Sequence, residues 1–271
     1  FCWIMHERLG RVTAASPDGR LAGQALGDGS GPAQGRERLG PTAAVLSATK
    51  WDHAPMLGGI AVANRLSRML DGARITIVDG KEAHNYQPGY TLVATGVWPI
   101  AKVSDRNADF HPAGVAWVKD MVAEFQPDAN TVVTAGGTKI TYDFLVVATG
   151  VHLDFAQIEG MDAKAIGSNG IGCVYPSPEA ALATWNAMDV FRARGGNAVM
   201  TLPATPLKCA GAPLKMTFML RDRLQQSGTL AASKVTFYSA LGNVFGVKAV
   251  NDNVLQRWKD LGIAVETTQK L

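Results

Sequence analysis

The sequence predicts an α/β protein: two doubly wound parallel sheets in tandem, the first without its opening strand. Three observations carry this prediction. Short strand-like runs at 74–78, 144–148, 197–202, 234–238 and 263–266 alternate with helical patterns that begin near 57, 178, 213 and 249. The run Phe144-Leu-Val-Val-Ala148 is apolar throughout, as a strand covered on both faces would be. Glycine is abundant, with 29 residues against 13 prolines, which suits a backbone that something must approach closely.

Composition bounds the function classes. Of the 271 residues 47% are hydrophobic and 18% charged, which excludes a disordered chain and a coiled coil. A net charge of +3 offers no electrostatic case for a nucleic-acid partner. Three cysteines, Cys2, Cys173 and Cys209, are too few for a disulfide scaffold. No apolar run reaches the ~18 residues of a membrane-spanning helix. The chain opens on Phe1 with no signal segment behind it and is expected to be a piece of a longer protein. Residues 1–56 are expected to form a poorly ordered segment unrelated to the rest of the chain, because 9–46 is Gly, Ala, Arg, Ser and Pro without a period. Residues 57–165 and 166–271 are expected to be the first and second α/β domains.

Each element has a local reason. Val62, Leu66, Met69 and Leu70 share a helical face after Gly58-Gly59, and Gly72 stands where a C-cap belongs. The strand at 74–78 follows and closes on Asp79, so helix and strand make half of a βαβ unit. A strand is expected at 114–118, and a hairpin of 131–135 with 138–142 turning at Gly136-Gly137. In the second half Ser177 is an N-cap before Pro178, with Leu182, Trp185, Met188 and Phe191 behind it, and Gly195-Gly196 stops that helix. Strand 197–202, a helix from Pro213 carrying Met216, Met219, Leu220 and Leu224, strand 234–238, helix 249–261 and strand 263–266 complete the alternation.

Three places could carry chemistry. A dinucleotide fingerprint sets glycines at a strand-to-helix turn, with an acidic residue about 20 positions on for the ribose. Gly59 and Asp79 keep that spacing, but the two earlier glycine positions hold Ala54 and Met56; a glycine pair that only allows close helix packing explains Gly58-Gly59 equally well. Thr149-Gly150, after the buried strand, is the second, since small residues at a strand end admit a cofactor. Cys209 is the third. It lies between a strand and a helix start, near Lys208 and Lys215, and both features favour a thiolate over the inert structural cysteine that is the commoner reading. Cys173, in a glycine-rich loop, is a candidate partner for it. No metal site is expected: His6, His53, His84, His111 and His152 are scattered, and of these only His84, beside Asn85-Tyr-Gln-Pro88, draws interest.

The segments Ile77-Val-Asp-Gly-Lys-Glu-Ala-His-Asn-Tyr-Gln-Pro88 and Thr91-Leu-Val-Ala-Thr-Gly96 resemble the flavin-proximal region of sulfide:quinone oxidoreductases. So do Leu202-Pro-Ala-Thr-Pro-Leu-Lys-Cys-Ala-Gly-Ala-Pro213, which is similar to that family's active-site cysteine motif, and Ser239-Ala-Leu-Gly-Asn-Val-Phe-Gly246. The resemblance runs from about Leu57 to Leu271 and implies a Rossmann-like flavoprotein with two dinucleotide-binding domains and FAD as cofactor. It implies that Asp79 takes the adenosine ribose, that Leu57, Gly58 and Gly59 lie along the pyrophosphate, and that Gln87 is near the flavin. It implies further that Val122 contacts the adenine through its backbone and that Ala148, Thr149 and Gly150 form the strand end facing FAD.

The chemistry so implied is oxidation of hydrogen sulfide. Sulfide attacks a cysteine disulfide or polysulfide bridge, the freed thiolate forms a flavin adduct, and two electrons pass to FAD and on to a quinone. The sulfur leaves as polysulfide or on a sulfane-sulfur acceptor. Cys209 matches the family's central cysteine and Lys215 a nearby lysine that could hold a thiolate or persulfide charge. The family's second redox cysteine, its quinone pocket and its membrane-docking helices are expected beyond Leu271, so the chain is expected to have impaired activity. The implied location is the surface of a quinone-containing membrane, inner mitochondrial or bacterial. Two other readings stand beside this one. A type II NADH:quinone dehydrogenase or another pyridine-nucleotide flavoprotein would need a second phosphate loop, where this chain has Pro203-Ala-Thr-Pro206. A non-catalytic truncated protein would bind no flavin.

Overall fold

The computed structural model describes residues 42–46, 57–205 and 209–269. The chain divides into two compact units that interleave along the sequence. Among the described residues one unit holds 42–46, 57–84 and 105–150, and the other holds 85–104 and 151–269.

The first unit is organised by a parallel sheet. Its strands are β1 (Thr42–Leu46), β2 (Arg74–Val78), β5 (Ala116–Val118) and β9 (Phe144–Val147), in the order β5-β2-β1-β9. β1 pairs along its length with β2, and from Ala43 to Leu46 with β9, all parallel. Helix α1 (Leu57–Met69) makes the crossover from β1 to β2. It buries Ile60 and Ala63 against Ile75 and Ile77, with Leu66, Val115, Trp117 and Val146 closing around them. A three-stranded antiparallel sheet, β6 (Val122–Gln126), β7 (Thr131–Thr134) and β8 (Lys139–Thr141), contributes Val122 and Val132 to a second cluster with Val78. Neighbouring residues of one strand point to opposite faces, so Ile77 serves one cluster and Val78 the other. The hairpin predicted at Gly136-Gly137 forms, with Val132 opposite Ile140.

The second unit is built on β10 (Gly196–Leu202), β11 (Ser233–Ser239) and β12 (Ala264–Glu266), parallel and in that order. Helix α4 (Gly211–Gln226) connects β10 to β11, and α5 (Lys248–Asp260) connects β11 to β12. The short helix α2 (Tyr90–Val93) and helix α3 (Pro178–Arg194) belong to the same unit. Ser177 caps α3 by accepting from the Ala180 amide at 3.1 Å, ahead of Pro178 in the first turn, as predicted. Met216, Leu220 and Leu224 of α4, Phe237 of β11 and Trp258 of α5 are the centre of the core. Trp258 is fully enclosed, its ring 4.7 Å from Phe237 and 5.7 Å from Phe218. β3 (Ala83–Asn85) and β4 (Ser104–Arg106) pair as a two-stranded ribbon.

The structure corrects four expectations. The first sheet does not lack its opening strand: Thr42-Ala-Ala-Val-Leu46 is that strand, drawn into place by a parallel neighbour on each side rather than by its own weak propensity. Residues 85–104 pack with the 151–269 stretch, not with the rest of 57–165, because Tyr90, Val93, Ala94 and Val103 are part of the core that Phe237 and Trp258 anchor. The inward face of α1 runs through Ile60 and Ala63, whereas Met69 and Leu70 are exposed. Strand β9 is an edge of the sheet among the described residues, and Phe144 is half exposed rather than buried.

Candidate functional site

The register of the first sheet assembles one set of candidate residues. Leu46 of β1 lies opposite both Val78 of β2 and Val147 of β9. Asp79 and Ala148 are therefore the first residues past the same edge of the sheet, flanking the end of β1. The carboxyl ends of parallel strands are where doubly wound sheets bind ligands. At α1's start, a Cβ placed on Gly58 would meet only the Ala148 side chain, at 3.9 Å, which is ordinary contact. Thr149 and Gly150 continue from Ala148 at this edge. The expected positions of Gly58, Asp79 and 148–150 at one edge are thus compatible in space. Leu57 begins α1, and Gly59 behind it is buried. Ala54 and Met56 lie outside the described residues.

Asp79 is 3% exposed and held from several sides. Its backbone N–H donates to Val118 O at 3.1 Å, and its backbone carbonyl accepts from Trp117 Nε1 at 2.8 Å. Its Oδ1 accepts from the Lys81 amide at 2.9 Å and its Oδ2 from Asn107 Nδ2 at 3.2 Å. A carboxylate offers about four acceptor positions, so these two bonds orient it and are compatible with a ligand hydroxyl. His84, 8% exposed, stacks on Phe110 at 3.8 Å and faces Asn107, while His111 meets Trp117 edge-on at 4.5 Å. Burial lowers the pKa of His111, against a smaller opposite pull from Asp79. Val122, on β6, is 2% exposed and sits in the core cluster with Val78 and Val132.

The second unit holds the rest. Gln87 is buried in a 3-10 turn, Gln87–Gly89, just before α2. Cys209 follows β10 and precedes α4; its carbonyl accepts from the Ala212 amide at 3.2 Å and its thiol is free and exposed. That placement puts an accessible sulfur at the positive end of a 16-residue helix. Lys215 is exposed on the second turn of α4. Tyr175 is 7% exposed, and burial pushes its phenol pKa up, with a smaller push in the same direction from Cys209. Tyr90 lies 6.0 Å from it ring to ring, also with a raised pKa, first from burial and then from Glu179. Cys173 is buried, its amide donating to Thr184 Oγ1 at 3.0 Å, so it is a packed cysteine, and it forms no disulfide with Cys209. Sequence reasoning did not find Asn107 or Tyr175; neither belongs to a spacing pattern, and each acquires its neighbours only through the fold.

A parallel sheet edge with a buried carboxylate and small residues is where a doubly wound sheet takes a dinucleotide, and an exposed thiol between a strand and a helix start is a candidate redox group. The pyridine nucleotide-disulphide oxidoreductase family model matches residues 57–173. The mitochondrial sulfide:quinone oxidoreductase of Mus musculus is 34% identical over 214 residues, covering 79% of this chain and 47% of that protein. That of Dictyostelium discoideum is 34% identical over 207 residues, covering 76% of this chain and 45% of the relative. The crystal structure of the Aquifex aeolicus sulfide:quinone oxidoreductase superposes with a TM-score of 0.69 at 23% identity, over 86% of this chain and 52% of that one, and supports the fold. Over about three quarters of its length the chain is similar to sulfide:quinone oxidoreductases. It spans about half the length of the curated relatives it matches.

Proposed function

We propose that this chain takes part in FAD-dependent oxidation of hydrogen sulfide, with the electrons delivered to a quinone. The observation that carries the reading is Cys209: an exposed free thiol directly ahead of α4, in the strand-to-helix segment after β10. Oxidation of sulfide to sulfane sulfur releases two electrons, and reduction of a quinone to a quinol takes up two electrons and two protons. When bound, FAD supplies the two-electron acceptor between them.

The residues present fit that cofactor. A buried, oriented carboxylate at a parallel strand end is the acceptor a ribose hydroxyl needs, so Asp79 would accept from the adenosine ribose. The start of α1 at Leu57, Gly58 and Gly59 would lie along the pyrophosphate, where helix N–H groups favour anions. Ala148, Thr149 and Gly150 would face the cofactor from β9, Val122 would reach the adenine through its backbone, and Gln87 would stand near the flavin. Cys209 carries the sulfur as a persulfide, whose negative charge is favoured at the head of α4. Lys215 would steady that charge from the helix, and a sulfane-sulfur acceptor would clear it. The site of action is the surface of a quinone-containing membrane, inner mitochondrial in a eukaryote and the inner membrane in a bacterium. Among the described residues no helix is long and apolar enough to cross a membrane.

The test is anaerobic. The chain is loaded with FAD, sulfide is added, and bleaching of the visible flavin absorbance is followed. Wild type bleaches; Cys209→Ala does not, while dithionite still reduces both. Equal bleaching of the two by sulfide would refute the reading, and bleaching by NADH instead of sulfide would transfer the chain to the pyridine-nucleotide dehydrogenases.

A further inference from the structure

The carboxylate assigned to the ribose does not orient itself. Asn107, 2% exposed at the start of the 3-10 turn Asn107–Phe110, gives both hydrogens of its amide to acceptors on one side. One goes to Asp79 Oδ2 at 3.2 Å and the other to the Lys81 carbonyl at 3.0 Å. Two acceptors on that side require the NH2 end there, so the amide oxygen points the other way. It lies 3.3 Å from His84 Nδ1, which must then carry the proton and donate. His84 is in turn fixed by its stack on Phe110, and the Asn107 backbone N–H is tied to Glu82 O at 2.7 Å. The result is a buried chain of hydrogen bonds, imidazole to amide to carboxylate, across three neighbouring elements.

We propose that Asn107 is a positioning residue for the ribose-binding carboxylate of Asp79, with His84 setting the direction of its amide. The proposal rests on the reading that Asp79 receives the adenosine ribose. A neutral donor suits this role because it fixes the rotamer of Asp79 and leaves the carboxylate charged, whereas a lysine or arginine there would compete with the ribose hydroxyls for it. Removing the amide takes away the bond that fixes Oδ2, and the cost falls on the ligand hydroxyl the carboxylate was aimed at.

The test is a binding titration of the full chain with FAD and with its 2′-deoxyadenosine analogue, read by flavin fluorescence and independent of turnover. Wild type is expected to bind FAD on the order of tenfold more tightly than the analogue, as a hydrogen bond to a charged group would give. Asp79→Ala should abolish that preference. Asn107→Ala should weaken FAD by about tenfold and shrink the preference to about twofold or less, the analogue being little affected.

Asn107→Asp keeps the shape and guards against a folding defect. Two facing carboxylates repel when both are charged, and on acidification one takes up a proton and can donate to the other, restoring the preference. The titratable groups facing it are Asp79 at the end of β2, His84 on β3, and His111, whose ring interacts electrostatically with both. The wild-type profile over the same range is the reference. Loss of the preference in Asn107→Ala, with recovery in Asn107→Asp at low pH, supports the proposal. A full wild-type preference in Asn107→Ala, alongside its loss in Asp79→Ala, overturns the positioning role alone. An unchanged preference in Asp79→Ala overturns the ribose assignment and this proposal with it.

Discussion

Substituting alanine for Gly96 separates two costs that the structure places on one residue. Gly96 ends the α2 turn with φ +68°. A Cβ there would stand 2.5, 2.6 and 2.8 Å from Trp185 Cζ2, Cε2 and Cη2. The ring has little room to yield, because it is packed against the core and flanked by the guanidinium groups of Arg192 at 5.4 Å and Arg223 at 5.8 Å. Arg223 is itself tied to Thr95 O at 2.7 Å, one residue before the glycine. The left-handed backbone costs a side chain about 1–2 kcal/mol and forced overpacking about 1–3 kcal/mol more, so Gly96→Ala should lose roughly 2–5 kcal/mol. Two controls in the same unit divide the sum. Gly228 has φ +74° with nothing within 4 Å of where a methyl would stand, so Gly228→Ala should lose only about 1–2 kcal/mol. Gly211 opens α4 with neither problem, and Gly211→Ala should be neutral or gain up to about 1 kcal/mol. Urea unfolding followed by circular dichroism measures all three. With an m-value of about 2 kcal/mol/M, a loss of about 3 kcal/mol moves the midpoint by about 1.5 M. Equal losses for Gly96→Ala and Gly228→Ala would refute the clash with Trp185.

Two further outcomes are expected. Cys209 is exposed and Cys173 is 1% exposed, so alkylation of the folded chain followed by peptide mass mapping should label Cys209 quickly and Cys173 only after denaturation; equal labelling would contradict the packing of Cys173 against Thr184. The folded state lowers the pKa of His111, so the unfolded chain binds more protons as the pH falls below the ordinary value of 6.5. Its contribution to stability is thus intact above that value and lost on acidification. His111→Phe keeps an aromatic ring against Trp117 and should flatten the pH dependence of the urea midpoint between about pH 7 and 5. An unchanged slope would show that His111 does not titrate this way.

Much of the fold is legible where local chemistry decides the outcome. Ser177 before Pro178 writes a helix start, two glycines between alternating strands write a hairpin, and the run from β10 to β12 alternates with helices as its periodicity says. Cys209 and Asp79 are readable because each sits at a junction that the pattern of elements marks. What escapes depends on distant partners. Strand β1 contains two alanines and no period, and it exists through neighbours 32 residues away at Arg74 and about 100 away at Phe144. The inward face of α1 ends a turn earlier than the apolar pattern does, because Met69 and Leu70 extend that pattern past the sheet that could cover them. Asn107 carries no signal in a sequence, since an asparagine ahead of a short turn is ordinary until Asp79 and His84 are known to meet it.

The distribution of these residues has a consequence for how activity should fail. The adenosine-side candidates, Gly58, Asp79, Asn107 and Ala148, belong to one compact unit, and the thiol-side candidates, Gln87, Tyr175 and Cys209, belong to the other. Each group is held by a different core, one around Ile60, Ile75 and Ile77 and the other around Phe237 and Trp258. Effects of substitutions in separate packing clusters without shared partners add. Loss of the Asp79 or Asn107 contact should therefore weaken cofactor binding without altering the reactivity of the Cys209 thiol toward an alkylating agent. Loss of Cys209 should stop sulfide-driven reduction without altering cofactor affinity.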